Sequence, residues 1–149
     1  MVQKNILLLV EDNPDDEELT LLAFEQSQIA HEVVVARDGV EALDYLFGTG
    51  IYADRDMSIM PALILLDLQL PRINGLEVLQ RLRSDKRTKL LPVVILTTSN
   101  EQQDLINSYN VGCNSYLRKP VDYNQFVTAV QQLGMYWLLL NEPPPVLVN

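Results

Sequence analysis

The 149-residue chain has a single cysteine, Cys113, so no disulfide can form within it. A lone thiol of this kind reads as a small buried apolar group and suits a reducing cytoplasm. There is also a single histidine, His31, which stands just before a strand-like run and reads as a surface residue. One Cys and one His cannot build a zinc site. Basic residues are few: 11 Lys and Arg against 20 Asp and Glu, for a net charge of −9. That balance argues against a nucleic-acid or anionic-membrane surface, since both need clustered cations. No apolar run approaches the roughly 20 residues of a membrane span. No secretory signal is expected, because Lys4 and Asn5 pass into a short strand-like run and then into acids. Repeats and low-complexity blocks are missing too. The length suits one domain, expected over residues 1–140, with a tail at 141–149 and no attached output domain.

What the chain does have is a set of short apolar runs that end in polar groups. The clearest is Ala62-Leu63-Ile64-Leu65-Leu66, which stops at Asp67. A strand apolar along both faces is normally buried on both, as in a parallel sheet. A carboxylate inside it would be costly to ionise, but at its end it reaches the edge where ligands bind in open α/β sheets. Asn5 to Val10 is a first strand, closed by Glu11-Asp12. Asn13 then caps a helix that Pro14, Asp15 and Asp16 favour at its positive end, with Leu19, Leu22, Ala23, Gln26 and Ile29 as its inward face. Glu32 to Ala36 is a second strand. Asp38-Gly39 starts a second helix carrying Val40, Leu43, Leu46 and Phe47, and residues 51–61 form a surface loop with a little helix.

After the Asp67 strand, Pro71 and Gly75 bracket a turn into a helix marked by Leu76, Leu79 and Leu82. Val93 to Leu96 is a fourth strand ending in Thr97-Thr98-Ser99. The helix from about Glu101 to Asn110 is the weakest, supported only by Leu105, Ile106, Tyr109 and Val111. Asn114 to Arg118 is a fifth strand, followed by Lys119-Pro120. A last, extended helix runs from near Asp122 to about Leu140, where Pro143-Pro144-Pro145 forbids continuation. Five strands alternating with five helices predict a doubly wound parallel sheet, flavodoxin-like, in the order 2-1-3-4-5.

In that order the ends of the first and third strands are neighbours, so Glu11, Asp12 and Asp67 converge. Their mutual repulsion is unfavourable unless a cation sits among them. Oxygen ligands alone suit Mg²⁺. Lys119 adds a positive charge and Thr97 a hydroxyl. Such a site fits a phosphoryl group, with Asp67 as nucleophile and its neighbours stabilising the transferring oxygens. A second chemistry uses a strand-end Asp nucleophile: the Mg²⁺-dependent phosphatases of haloacid dehalogenase type. They carry another acid two residues later, where this chain has Gln69.

From about Asn5 to the last helix the sequence resembles the response-regulator receiver family. Ile6 to Asp12 is similar to its acidic-pair strand, and Leu65 to Pro71 with Gly75 to its phosphoacceptor segment. Val94 to Thr97 resembles the strand of its switch hydroxyl, and Tyr116 to Pro120 its aromatic switch and lysine. The resemblance implies that Asp67 accepts phosphate from a histidine kinase, making the chain a signalling switch and not a true enzyme. It implies Mg²⁺ on Asp12, Asp67 and the Gln69 carbonyl, with Glu11 holding metal waters. Thr97 and Tyr116 would rearrange on phosphorylation, Lys119 would contact the phosphoryl group, and Lys119-Pro120 would be cis. Glu11 stands where Asp is frequent, and Thr98 where a smaller residue is common. The connection after the second helix, Thr97 to Asn100, Cys113 to Tyr116 and the end of the last helix resemble the single-domain regulators paired with cyanobacterial phytochromes.

The last helix also offers a surface. Phe126, Val130, Leu133, Trp137 and Leu140 fall at spacings of four, three, four and three, close to a coiled-coil seam, and Val127 and Leu138 broaden it. A helix apolar all round needs a second partner. The expectation is a homodimer through Phe126, Val130, Leu133, Trp137 and Leu138, beside the fifth strand and Tyr116.

Overall fold

Strands β1 (Ile6–Val10), β2 (Glu32–Ala36), β3 (Leu63–Leu66), β4 (Val93–Thr97) and β5 (Ser115–Arg118) form one parallel sheet in the order β2-β1-β3-β4-β5. This is a computed structural model, and it describes residues 6–27 and 32–145. The expected fold and strand order are both met. The expectations for Ile29 and His31 lie outside the described residues.

Side chains alternate across the sheet, so each apolar run feeds two cores. Leu8, Val10, Ile64, Leu66, Val93 and Ile95 face α2 (Gly39–Phe47) and α3 (Gly75–Arg83). Leu7, Leu9, Leu63, Leu65, Val94 and Leu96 face α1 (Pro14–Ser27) and α5 (Tyr123–Gly134). The face of α1 is turned from the expected one: Thr20, Ala23 and Phe24 are buried, and Leu19 and Leu22 only partly. Gly134 explains Phe24. A Cβ there would stand 2.5 Å from the Phe24 ring, so only glycine lets α5 close over it.

Four helices begin on a side-chain cap. Asn13 Oδ1 accepts from the Asp15 and Asp16 N–H, Asp38 from Glu41, Asn74 from Glu77 and Asp122 from Gln125. Each such cap contributes about 1 kcal/mol. Helix α4 (Gln102–Val111) lacks one, since Glu101 makes no capping bond. Its apolar support is thin as well: Ser108 is its only buried residue, and Ile106 and Tyr109 are exposed. The weak signal in the sequence therefore reports a loosely seated helix.

Helix α5 runs on through Met135–Leu140, but as a wider π-helical turn in which the Asn141 N–H reaches the Tyr136 carbonyl five residues back. This corrects the expected interface. Phe126 and Val130 are 2 % and 0 % exposed and belong to the core beneath α5. Leu133, Trp137 and Leu138 are half-buried against the same core. The expected stripe has the right period, but the sheet occupies it. In the π-helical turn the α-helical spacing no longer holds, so Leu140, the last member of the stripe, is 69 % exposed, together with Met135, Tyr136 and Leu139.

Candidate functional site

The residues that follow β1, β3 and β5 are each tied to a neighbouring strand by backbone bonds that continue past the strands. Glu11 N–H donates to the Ala36 carbonyl at 2.9 Å, Asp67 N–H to Val10 at 3.1 Å, and Lys119 N–H to Thr97 at 2.7 Å. Parallel register carries these ends to a common edge, and the polar residue following each run lands there. Gly75 keeps the segment after β3 close to α3. Its N–H donates to the Leu68 carbonyl at 2.9 Å, and a Cβ would meet the Asp67 carbonyl oxygen at 2.1 Å.

Glu11, Asp12 and Asp67 each offer a carboxylate oxygen, and these oxygens lie within 4.8 Å of one another. Glu11 and Asp67 are buried and Asp12 is exposed. The Lys119 ammonium, on a side chain 4 % exposed, sits 2.8 Å from Glu11 Oε1, Asp67 Oδ2 and Asp16 Oδ2 alike. Burial pushes the Glu11 carboxyl up to about 7, with Lys119 opposing and Asp67 adding to the rise. Burial alone would lower the Lys119 ammonium, but hydrogen bonds to Asp16, Asp67 and Glu11 outweigh it and hold the group above its ordinary range. The cleft thus keeps an excess of negative charge around one fixed cation. A set of carboxylate oxygens with an open, exposed side fits a hard divalent cation such as Mg²⁺.

The structure brings together Glu11, Asp12, Asp67 and Lys119 as expected. Gln69 is at the rim: its N–H donates to Asp67 Oδ1 at 3.1 Å, and its side-chain Oε1 accepts from the Thr98 hydroxyl at 3.3 Å. An amide there cannot act as the second acid that a haloacid-dehalogenase-type phosphatase needs, and nothing supports that alternative. Thr97 is fully buried, and its hydroxyl oxygen accepts the Ser99 N–H at 3.2 Å. Tyr116 pairs with Ile95, two residues back from Thr97, so it lies in a layer behind the acids. Burial raises the pKa of its hydroxyl, with the nearby Ser99 opposing the rise, and among the described residues that hydroxyl has no partner at hydrogen-bond geometry. The Lys119-Pro120 bond is trans, not cis. Trans is favoured by about 0.5–1 kcal/mol even before proline, and the Lys119 backbone and ammonium contacts are all made with it.

Two residues escaped the sequence reading. Asp16 looked like a helix-end acid, yet it is the third partner of Lys119. Its place three residues after the cap Asn13 was the available signal, because a side chain there turns back toward the strand end. Ser99 is the other. Its hydroxyl donates to Asp104 Oδ2 at 2.6 Å and accepts the Glu101 N–H at 3.2 Å, pinning the uncapped start of α4.

The model of the response regulator receiver domain matches residues 7–131. Response regulator Rcp1 of Synechocystis is 39% identical over 133 residues, spanning 89% of this chain and 88% of its own. A crystal structure of the Mn²⁺-bound form of Rcp1 superposes with a TM-score of 0.88 at 37% identity, covering 95% of this chain and 99% of that one. The phosphorylated cyanobacterial phytochrome response regulator RcpA gives a TM-score of 0.89 at 39% identity, with 96% and 100% covered. The bacteriophytochrome response regulator AtBRR is 55% identical, with a TM-score of 0.74 and 95% and 100% covered.

Proposed function

The chain belongs to the response regulator receiver family, and from that premise we propose that Asp67 accepts a phosphoryl group from a phytochrome-type histidine kinase in a two-component phosphorelay. The observation that carries this reading is the Asp67 carboxylate itself. It is buried at the end of β3, one oxygen on the Lys119 ammonium and the other on the Gln69 N–H, beside Glu11 and Asp12. The pairing with a phytochrome rests on relatives similar over nearly their whole length.

In the transfer, a carboxylate oxygen of Asp67 attacks the phosphorus of a phosphohistidine. The new O–P bond forms as the P–N bond breaks, and the electron pair leaves with the imidazole nitrogen, which takes a proton from water. Glu11, Asp12, Asp67 and the Gln69 carbonyl would hold Mg²⁺, which supplies charge compensation for the transferring oxygens. Lys119 then turns one ammonium proton from Asp67 to a phosphoryl oxygen. Thr97 reaches the same group with its hydroxyl, drawing the end of β4 toward it. Tyr116, on the strand beside Thr97, resettles when Thr97 shifts. The chain acts as a switch, in the reducing compartment that its one buried thiol suits. Labelled phosphate from candidate sensor kinases is the direct test. Transfer is expected in Mg²⁺ and is lost in excess chelator and in Asp12→Ala. Undiminished transfer in chelator would refute the metal's part.

The signal leaves through a surface, and the exposed end of α5 is the one we assign to it. Met135, Tyr136, Leu139 and Leu140 present an apolar face just past the part of the helix that seals the core. A second copy is the default partner of such a face, as a two-fold pair. Sedimentation is expected to show a dimer for the wild type and a monomer for Tyr136→Glu with Leu139→Glu. Neither side chain is buried, so the fold is not at stake. A wild-type monomer with and without beryllofluoride would remove the dimer.

A further inference from the structure

We infer that Asp16 is a positioning residue for phosphoryl transfer, acting through Lys119 as the one acceptor of its ammonium that neither the metal nor the phosphoryl group disturbs. The inference rests on the reading of Asp67 as phosphoacceptor. An ammonium has three protons, and here all three have a carboxylate oxygen at 2.8 Å: Glu11, Asp16 and Asp67. These acceptors fare differently in the reaction. Asp67 loses its anionic charge when it becomes an acyl phosphate, and the proton it held turns to a phosphoryl oxygen. Glu11 belongs to the acid group that fits a cation, so its charge is shared once Mg²⁺ binds. Asp16 is outside that group, so neither the cation nor the phosphoryl group takes its place beside the ammonium.

The position of Asp16 is fixed by its main chain. Its N–H donates to Asn13 Oδ1 at 3.2 Å, and its carbonyl accepts the Thr20 hydroxyl at 2.8 Å. The first turn of α1 therefore holds the carboxylate while 103 residues separate it from the lysine it pairs with. Lys119 has a flexible four-carbon stem. Its backbone is fixed by the bond to Thr97, but its ammonium is not. With Glu11 and Asp67 both changing, Asp16 is what keeps that ammonium aimed at the acceptor.

Asp16→Asn removes the charge and leaves the two main-chain bonds in place. Uptake of phosphate from acetyl phosphate at saturating Mg²⁺ is expected to fall about tenfold, the scale typical of residues that orient a functional group. Asp16→Glu should recover much of it. In the resting protein, with no phosphodonor present, the Lys119 ammonium should give a slowly exchanging ¹⁵N signal in the wild type and a fast-exchanging one in Asp16→Asn. Uptake by Asp16→Asn at the wild-type rate overturns the inference. So does a reduced rate that Asp16→Glu fails to raise while the ammonium signal stays unchanged, since that pattern reports a general effect on the fold. A wild type that takes no label defeats the phosphoacceptor reading instead, and the ammonium signal still judges the pair.

Discussion

Asp67→Asn is expected to stay folded and to take no label, either from acetyl phosphate or from a kinase. The substitution keeps the shape of the side chain. Its Oδ1 can still accept the Gln69 N–H, which holds the turn after β3. Its amide nitrogen replaces the oxygen that faced Lys119, and that ammonium keeps Glu11 and Asp16. What goes is the nucleophile, because an amide nitrogen has no free electron pair to offer phosphorus. The neighbouring acids are poor substitutes. Glu11 is buried against the Lys119 ammonium, and Asp16 is tied to the same lysine. Loss of the Asp67 charge should also let the Glu11 pKa fall, since that charge is one cause of its rise. Label uptake is measured on gels with a circular dichroism spectrum as the control for folding. Full labelling of the variant would overturn the assignment.

Much of this site was legible because it is built at strand ends. A run such as Leu63 to Leu66 has no polar face, so it must be buried on both sides, and its first polar follower must mark the sheet edge. The same logic located Glu11, Asp12 and Thr97, while Lys119 was placed only by its position after the short mixed strand β5. Other features depend on partners that no local pattern names. The stripe on α5 has a clear period, but a period says only that one face is covered. It does not say whether a sheet or a second chain covers it, and here the sheet takes Phe126 and Val130. The π-helical turn at Met135–Leu140 then moves the exposed face off the α-helical register. Asp16 was hidden for a related reason. Acids at a helix start have a sufficient local explanation in the helix dipole, so the place of Asp16 after its cap hinted at the strand end but did not name a lysine 103 residues away.

Arg83 is the other long-range residue that its local setting concealed, and its replacement should cost the most stability. At the last turn of α3 a basic residue looks like an ordinary partner for the helix end. In the structure it is half-buried and its guanidinium is used throughout. Nε donates to the Gly112 carbonyl at 2.8 Å. Nη1 donates to Leu91 at 2.9 Å and Lys89 at 3.1 Å, and Nη2 to Asn114 Oδ1 at 3.0 Å. These acceptors lie on the α3–β4 and α4–β5 connections, so one side chain fastens both loops at the end of the sheet opposite the acids. Asn114 Oδ1 also accepts the Val93 N–H at 2.8 Å, which ties the start of β4 into the same network. None of the acceptors is a carboxylate, and burial lowers the pKa of the guanidinium. Arg83→Met would fill the space of the stem but leave the Gly112 and Leu91 carbonyls, both part-buried, without their donor. At about 1–3 kcal/mol for each group so stranded, the loss is about 3 kcal/mol. For a domain of this size that lowers the melting temperature by about 6–12 °C. Calorimetry on the two proteins checks it. Phosphate uptake at low temperature should be unchanged, because the network lies at the far end of the sheet from Asp67. A melting temperature within about 2 °C of the wild type, less than 1 kcal/mol on the same scale, would show that water takes the place of the guanidinium and that the loops do not depend on it.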